Sequence, residues 1–310
     1  MCIPIYAILI LIIALYLIQT QAKQRAIAEY RAGGKIIQTP RGPVEYAIEG
    51  AGPAILVMHG SGGGYQQGMQ LTRLIDTTRY TILAISRPGY WGTPLDIAPS
   101  HEEQADLAVE VLDVLKIKKA FVAGISAGGL AMIQFGLRHP DRCAGLIFLS
   151  AVHPNRAVYP MPSIMPLIIR LLLWSDFWTW LMTRSSLWLV ADPTRLGLPQ
   201  IVTEPTAAGI VQLNMLGLWP ASPWNRGTFN DMDRFMAYAS LPLEKISVPT
   251  LVIHGTRDLS APLVYGEHAA RVIPGAQKLI IPGGSHLVIG THWREIGQRL
   301  TQFMEQNPSA

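Results

Sequence analysis

The sequence predicts an α/β fold: an eight-stranded, mostly parallel sheet with helices on both faces, an inserted helical cap and an N-terminal membrane helix. Three observations predict it. Short apolar runs alternate with helical stretches through the first half of the chain. The alternation stops after Ser150 and resumes at Pro249. The first 18 residues carry no charged side chain. A chain of 310 residues is long enough for one large domain with an insertion.

Residues 1–20 are expected to anchor the chain in a bilayer. A helix over 1–18 reaches about 27 Å, at the short end of a membrane span. A cleaved signal peptide fits less well, because no positive n-region and no small-x-small cleavage site are present. Lys23, Arg25, Arg31 and Lys35 follow the apolar run, which places the body of the protein on the cytoplasmic side of an anchor. With cleavage, the body would be secreted or periplasmic.

Residues 21–34 read as a helical linker broken at Gly33-Gly34. The first part of the core spans 35–151. Strands are expected at 35–39 and 44–49 around the turn Pro40-Arg41-Gly42-Pro43, then at 54–58, 80–85, 119–123 and 145–150. Ala54-Ile55-Leu56-Val57-Met58 is continuously apolar, as in a sheet covered on both faces. Helices are expected at 69–77, 101–115 and 129–139. The second part, 241–310, supplies strands at 249–254 and 277–281 and helices at 264–272 and 291–305. Residues 152–240 form the cap; six of the eight tryptophans lie there.

Composition narrows the function. The chain is 49% hydrophobic, 15% charged and carries a formal charge of +4. Its basic residues are scattered and match no nucleic-acid module, so nucleic acid is not an expected partner. The two cysteines, Cys2 and Cys143, make no disulfide framework. No H-E-x-x-H pair or dinucleotide fingerprint is present, so neither a metal nor an organic cofactor is expected.

The chemistry centres on Gly124-Ile125-Ser126-Ala127-Gly128, between a predicted strand and a predicted helix. Small neighbours allow a tight turn that pushes the Ser126 hydroxyl out beside a helix N-terminus. A serine needs a base, and the base needs an orienting acid. Asp258 follows the strand at 249–254, and His286 follows the strand at 277–281. In an open parallel sheet both loops open onto the crevice that Ser126 faces. Asp258 also reads as a cap for the helix after it. Backbone N–H groups of Ala127 and Ser61, with Gly62 as the alternative, are expected to hold an oxyanion.

These segments resemble the α/β-hydrolase superfamily, in its cap-containing branch. The nucleophile turn Gly124–Gly128, the His59–Gly64 loop, Arg87-Pro88-Gly89, His254–Asp258 and Gly284–His286 carry the resemblance, which covers about residues 35–310. It implies a Ser126-Asp258-His286 triad and an acyl-serine intermediate, with no cofactor. Serine at 126 disfavours the epoxide hydrolase and dehalogenase groups, which carry aspartate there. The apolar cap and the anchor point to an esterase or lipase-like enzyme acting on small lipophilic esters near a bilayer. The alternatives are a C–C bond hydrolase, which would need a basic group such as Arg156, Arg170, Arg184, Arg195 or Arg226 to hold a keto acid, and an inactive binding or scaffold relative.

Overall fold

A computed structural model describes residues 5–155, 162–181 and 205–308. The strands are β1 (Lys35–Thr39), β2 (Gly42–Gly50), β3 (Ala54–Met58), β4 (Thr81–Ile85), β5 (Ala120–Ile125), β6 (Cys143–Leu149), β7 (Thr250–Gly255) and β8 (Gln277–Ile281). They form one eight-stranded sheet in the order β1-β2-β4-β3-β5-β6-β7-β8. β2 is antiparallel to both of its neighbours, and every other pairing is parallel. Expected and observed strands agree to within a residue or two.

β3 to β7 are buried along their whole length. Unbroken apolar runs suit them because helices cover both faces. One face packs under α3 (His101–Val114), α4 (Gly129–Arg138) and α8 (Val264–Val272) around Leu56, Val122, Leu146 and Val252. The other packs under α2 (Tyr65–Met69) and α10 (Trp293–Gln306) around Val57, Phe121, Ile147 and Phe303. Local signals set the helix ends. Ser100 and Glu103 form a reciprocal capping box at the start of α3, each side chain bonding the other's backbone N–H. α2 starts four residues before the expected position, directly off Gly64, and continues as a 3-10 turn over Gln70–Arg73.

Between β6 and β7 lie α5 (Met165–Leu172), α6 (Pro205–Leu216) and α7 (Asn225–Ala237). The expected cap at 152–240 falls here; Arg156, Arg184, Trp188 and Arg195 lie outside the described residues.

The N-terminal expectation changes. α1 (Ile5–Arg31) is one 27-residue helix. Among the described residues, no helix is long and apolar enough to cross a membrane, so the expected spanning helix is not supported. The helix continues through Lys23, Arg25 and Glu29, where the helical linker is expected, and docks on the core. Tyr30 stacks on Trp91 with ring centroids 4.0 Å apart. Arg31 pairs with buried Glu45 at 3.2 Å, and Lys23 pairs with Asp176 of the insertion at 2.5 Å. The apolar side chains of Tyr6, Ile10, Ile13 and Leu17 stay exposed. The short α9 (Val288–Thr291) follows β8 and precedes α10.

Candidate active site

Ser126 sits where β5 gives way to α4, on a 3-10 turn over Ser126–Gly128. Its φ is +51°, a left-handed conformation that a serine adopts only when its surroundings impose it. Both flanking glycines are dictated by space. A Cβ at Gly128 would lie 2.0 Å from the Met58 carbonyl oxygen, and one at Gly124 would lie 2.9 Å from Met132 Cβ. The turn is thus wedged against the end of β3, and Ser126 is held out at the C-terminal edge of the sheet.

Asp258 and His286 arrive at the same edge from the loops after β7 and β8. His286 Nδ1 bonds Asp258 Oδ2 at 2.7 Å. The other carboxylate oxygen accepts the N–H groups of Ser260 at 2.9 Å and Ala261 at 2.7 Å. The capping role and the partnership with His286 therefore coexist, one per oxygen. Burial works to raise the Asp258 carboxyl, but the hydrogen bond and charge of His286, with the Ala261 N–H, hold it below its usual value. An ionised Asp258 fixes the proton on His286 Nδ1 and leaves Nε2 for proton exchange. Ser126 Oγ and His286 share no hydrogen bond among the described contacts; such bonds often tighten only around substrate.

The loop after β3 runs beside the nucleophile. A Cβ at Gly60 would lie 2.9 Å from Ser126 Cβ. Gly60 N–H is already donated to Gln67 Oε1 at 2.6 Å, and Gly63 N–H to Gly60 O at 3.3 Å. Among the described contacts, the N–H groups of Ser61 and Gly62 have no protein acceptor, which leaves them available to an oxyanion. Gly62 has φ +72°, a conformation glycine adopts without strain.

His59 shapes this loop. Its Nε2 accepts the Arg87 N–H at 2.9 Å, so its Nδ1 carries the proton and donates to Gly60 O at 2.7 Å. Burial and the nearby Arg87 charge lower the imidazole to about 3, keeping it neutral. The Arg87 guanidinium is fully buried. It donates to His59 O at 2.8 Å and forks onto Asp231 of α7 at 2.9 and 2.7 Å. Tyr90 OH donates to the same carboxylate at 2.6 Å, and His101 Nε2 lies 3.2 Å from it. Burial works against ionisation of Asp231, but the Arg87 charge and these hydrogen bonds hold its carboxyl well below the usual range.

Sequence reasoning missed Asp231. The available signal was Arg87 itself, since an arginine between a buried strand and Pro88 needs a buried counter-charge, but nothing in the sequence identified which acid supplies it. The other histidines are structural. His254 Nε2 meets Ala261 O at 2.6 Å, His139 pairs with Asp106 at 2.8 Å, and buried His153 meets Tyr265 O at 3.1 Å. Among the described residues, no group of three or more His, Cys, Asp or Glu could hold a metal ion.

Ser126, Ala127 and Ser61 line a cavity of about 300 Å³. Leu130 and Val152 wall it from the core, and Met165, Ile169, Met232 and Phe235 from the insertion. No described tryptophan lines it. Trp174 is 70% exposed, while Trp224 packs on Tyr90. Asp231 is the charged side chain in the described lining, and Arg87 neutralises it. Arg170 pairs outside with Asp233 at 2.5 Å, and Arg226 is exposed.

Comparison with known proteins agrees with this architecture. Residues 54–298 match the model of an alpha/beta hydrolase family. The chain is 29% identical over 281 residues to an uncharacterised hydrolase, YcgS, of Bacillus subtilis, covering 85% of this chain and 95% of that protein. It is 28% identical to a 2-hydroxy-6-oxononadienedioate/2-hydroxy-6-oxononatrienedioate hydrolase of Cupriavidus pinatubonensis, covering 92% and 99% of the two chains. A solved alpha/beta hydrolase fold protein from Nakamurella multipartita superposes with a TM-score of 0.69 at 27% identity, covering 87% of this chain and 98% of that one.

Proposed function

Because the chain belongs to the alpha/beta hydrolase family, we propose that it is a serine hydrolase of neutral, lipophilic carboxylic esters. The observation that carries this reading is the 2.7 Å bond between His286 and Asp258 at the same sheet edge as a serine held at φ +51° on an apolar cavity. Ser126 attacks the ester carbonyl, and His286 Nε2 takes the hydroxyl proton. Asp258 supports the charge that forms on the ring. The N–H groups of Ala127 and Ser61, or Gly62, hold the oxyanion. His286 then protonates the leaving alcohol, and water attacks the acyl-serine by the same route.

The C–C hydrolase reading draws support from the Cupriavidus relative. A dioate substrate asks for a cation in the pocket, and the described lining holds none. The apolar side chains of the described lining suit an uncharged acyl group. A cavity of about 300 Å³ is at the small end for ligand pockets, which suits medium chains. Each methylene buried adds about 0.8 kcal/mol, so three more raise kcat/KM up to roughly fiftyfold.

The test is a p-nitrophenyl ester series from C2 to C12. The expected profile peaks at medium length, and Ser126→Ala removes it. A peak at C2 refutes the lipophilic pocket. Inactivity across the series, with turnover of a 2-hydroxy-6-oxo-dienedioate, establishes the C–C alternative.

We also propose that the exposed apolar half of α1 attaches the chain to a lipid surface. Support comes from the exposed side chains of Tyr6, Ile10, Ile13 and Leu17 and from the basic residues that follow them. Flotation of the full chain with anionic vesicles, lost on removing residues 1–20, is the expected result; equal flotation of both forms contradicts it.

A further inference from the structure

The loop beside Ser126 is braced from the insertion. Gln67 Oε1 accepts the Gly60 N–H at 2.6 Å, and the Gln67 amide fills the inside of the turn. A Cβ at Gly63 would lie 2.8 Å from the same oxygen. This amide is oriented by a second one. Asn214 of α6 donates from Nδ2 to Gln70 Oε1 at 3.0 Å and to Ile210 O at 2.9 Å. Two acceptors on that side fix Asn214 Oδ1 as the atom facing Gln67, whose Nε2 donates to it at 3.0 Å. With its NH₂ committed there, Gln67 can present only its oxygen to Gly60. The relay is directional: Asn214 to Gln67, Gln67 to Gly60, and Gly60 to its neighbour Ser61.

Its position matters because Gly60 is packed against Ser126. Any shift of Gly60 moves the Ser61 and Gly62 N–H groups relative to the nucleophile. Gly60 O is already held from the core by His59 Nδ1, so the insertion controls the N–H side of the same peptide unit's residue.

We propose that Asn214 is a positioning residue for the oxyanion loop: α6 shapes the loop through Gln67, and the loop is set for catalysis only when α6 is seated. This rests on the serine hydrolase reading above. Asn214 does not touch substrate in this scheme; it acts through Gln67 and Gly60. A displaced oxyanion donor weakens the transition state more than the ground state, so the effect belongs in kcat.

The experiment compares wild type, Asn214→Ala, Gln67→Leu and the double variant on a medium-chain p-nitrophenyl ester. Inhibition by an alkyl boronic acid, which forms a tetrahedral adduct, is measured alongside. Asn214→Ala is expected to lower kcat about tenfold to a hundredfold with KM within about threefold, and to weaken boronate binding by the same factor. Gln67→Leu should lose as much, and the double variant no more than the worse single one. Thermal melts confirm that each variant is folded; should Asn214→Ala fail to fold, Gln67→Leu carries the same expectation. Wild-type kcat, a loss confined to KM, unchanged boronate affinity or additive losses would each overturn the proposal. Ser126→Ala in the same assay separates the two readings: if it retains turnover, the serine mechanism itself fails, whatever Asn214 does.

Discussion

The sheet and the inserted helix α5 are both built from strongly apolar sequence, yet they use it differently. Leu56, Val122, Leu146 and Val252 are wholly buried at the centre of the core. In α5 no residue is buried; Leu171 is 61% exposed and Leu167 54%, while Met165 and Ile169 on another side line the cavity. The core spends its apolar residues on holding Ser126, Asp258 and His286 in place. The insertion places some of them on the cavity beside Ser126 and leaves others facing out. Under the proposed serine hydrolase reading, the chemistry rests on elements that tolerate little change, and specificity on a helix whose outer face is free to vary. Among the polar contacts that tie the regions together are a charged one, Arg87–Asp231, and a neutral one, Gln67–Asn214.

The sharpest break is at the core edge. Ser126→Ala should lower kcat a thousandfold or more while the melting curve stays that of the wild type. Turnover within about tenfold of wild type would remove Ser126 from the mechanism.

Next comes the charged tie. Asp231→Ala leaves a buried guanidinium uncompensated, which costs about 3–5 kcal/mol. Urea unfolding should show that loss. A change under about 1 kcal/mol would mean that water reaches Arg87 in the variant.

The third prediction concerns pH. Burial holds His59 at about 3 and His153 at about 4, both against an ordinary value of 6.5. Each folded value lies below the unfolded one, so the unfolded chain binds more protons between them. Stability from these rings is fully present above pH 6.5 and is lost as pH falls toward 4. The slope is about 1.4 kcal/mol per pH unit for each ring. A urea midpoint that stays level from pH 7 to pH 5 would contradict it.

The smallest effect is expected on the outer face of the insertion. Leu171→Gln should change unfolding free energy by no more than about 0.5 kcal/mol, because the side chain is already mostly in solvent. A larger loss would show that α5 is covered in solution and would weaken the contrast.

How much of this was legible varies by residue. The strands could be read because a strand buried on both faces is unbroken apolar sequence, and β3, with Ala54-Ile55-Leu56-Val57-Met58, shows nothing else. Ser126 could be read because its glycines are sterically compelled, as Gly128 against Met58 demonstrates. α1 misled because an uncharged run looks the same whether it enters a bilayer or begins a longer helix that docks through Tyr30 and Arg31. Asp231, Gln67 and Asn214 gave no signal, since an Asp or an amide side chain in a helix is ordinary until its partner is known.

The sequence by itself determined the order of strands and helices, the turn that carries Ser126, and the loops that carry Asp258 and His286. Those features are written in neighbouring residues: periodicity, turn chemistry and small side chains at tight places. Only the tertiary structure decided which faces of the insertion meet the cavity, that Asp231 neutralises Arg87, and that Asn214 reaches the loop beside the nucleophile. Asp231 lies 144 positions from Arg87, and Asn214 lies 147 from Gln67. A contact over such a separation is set by how the sheet brings distant segments together, and no local pattern records it.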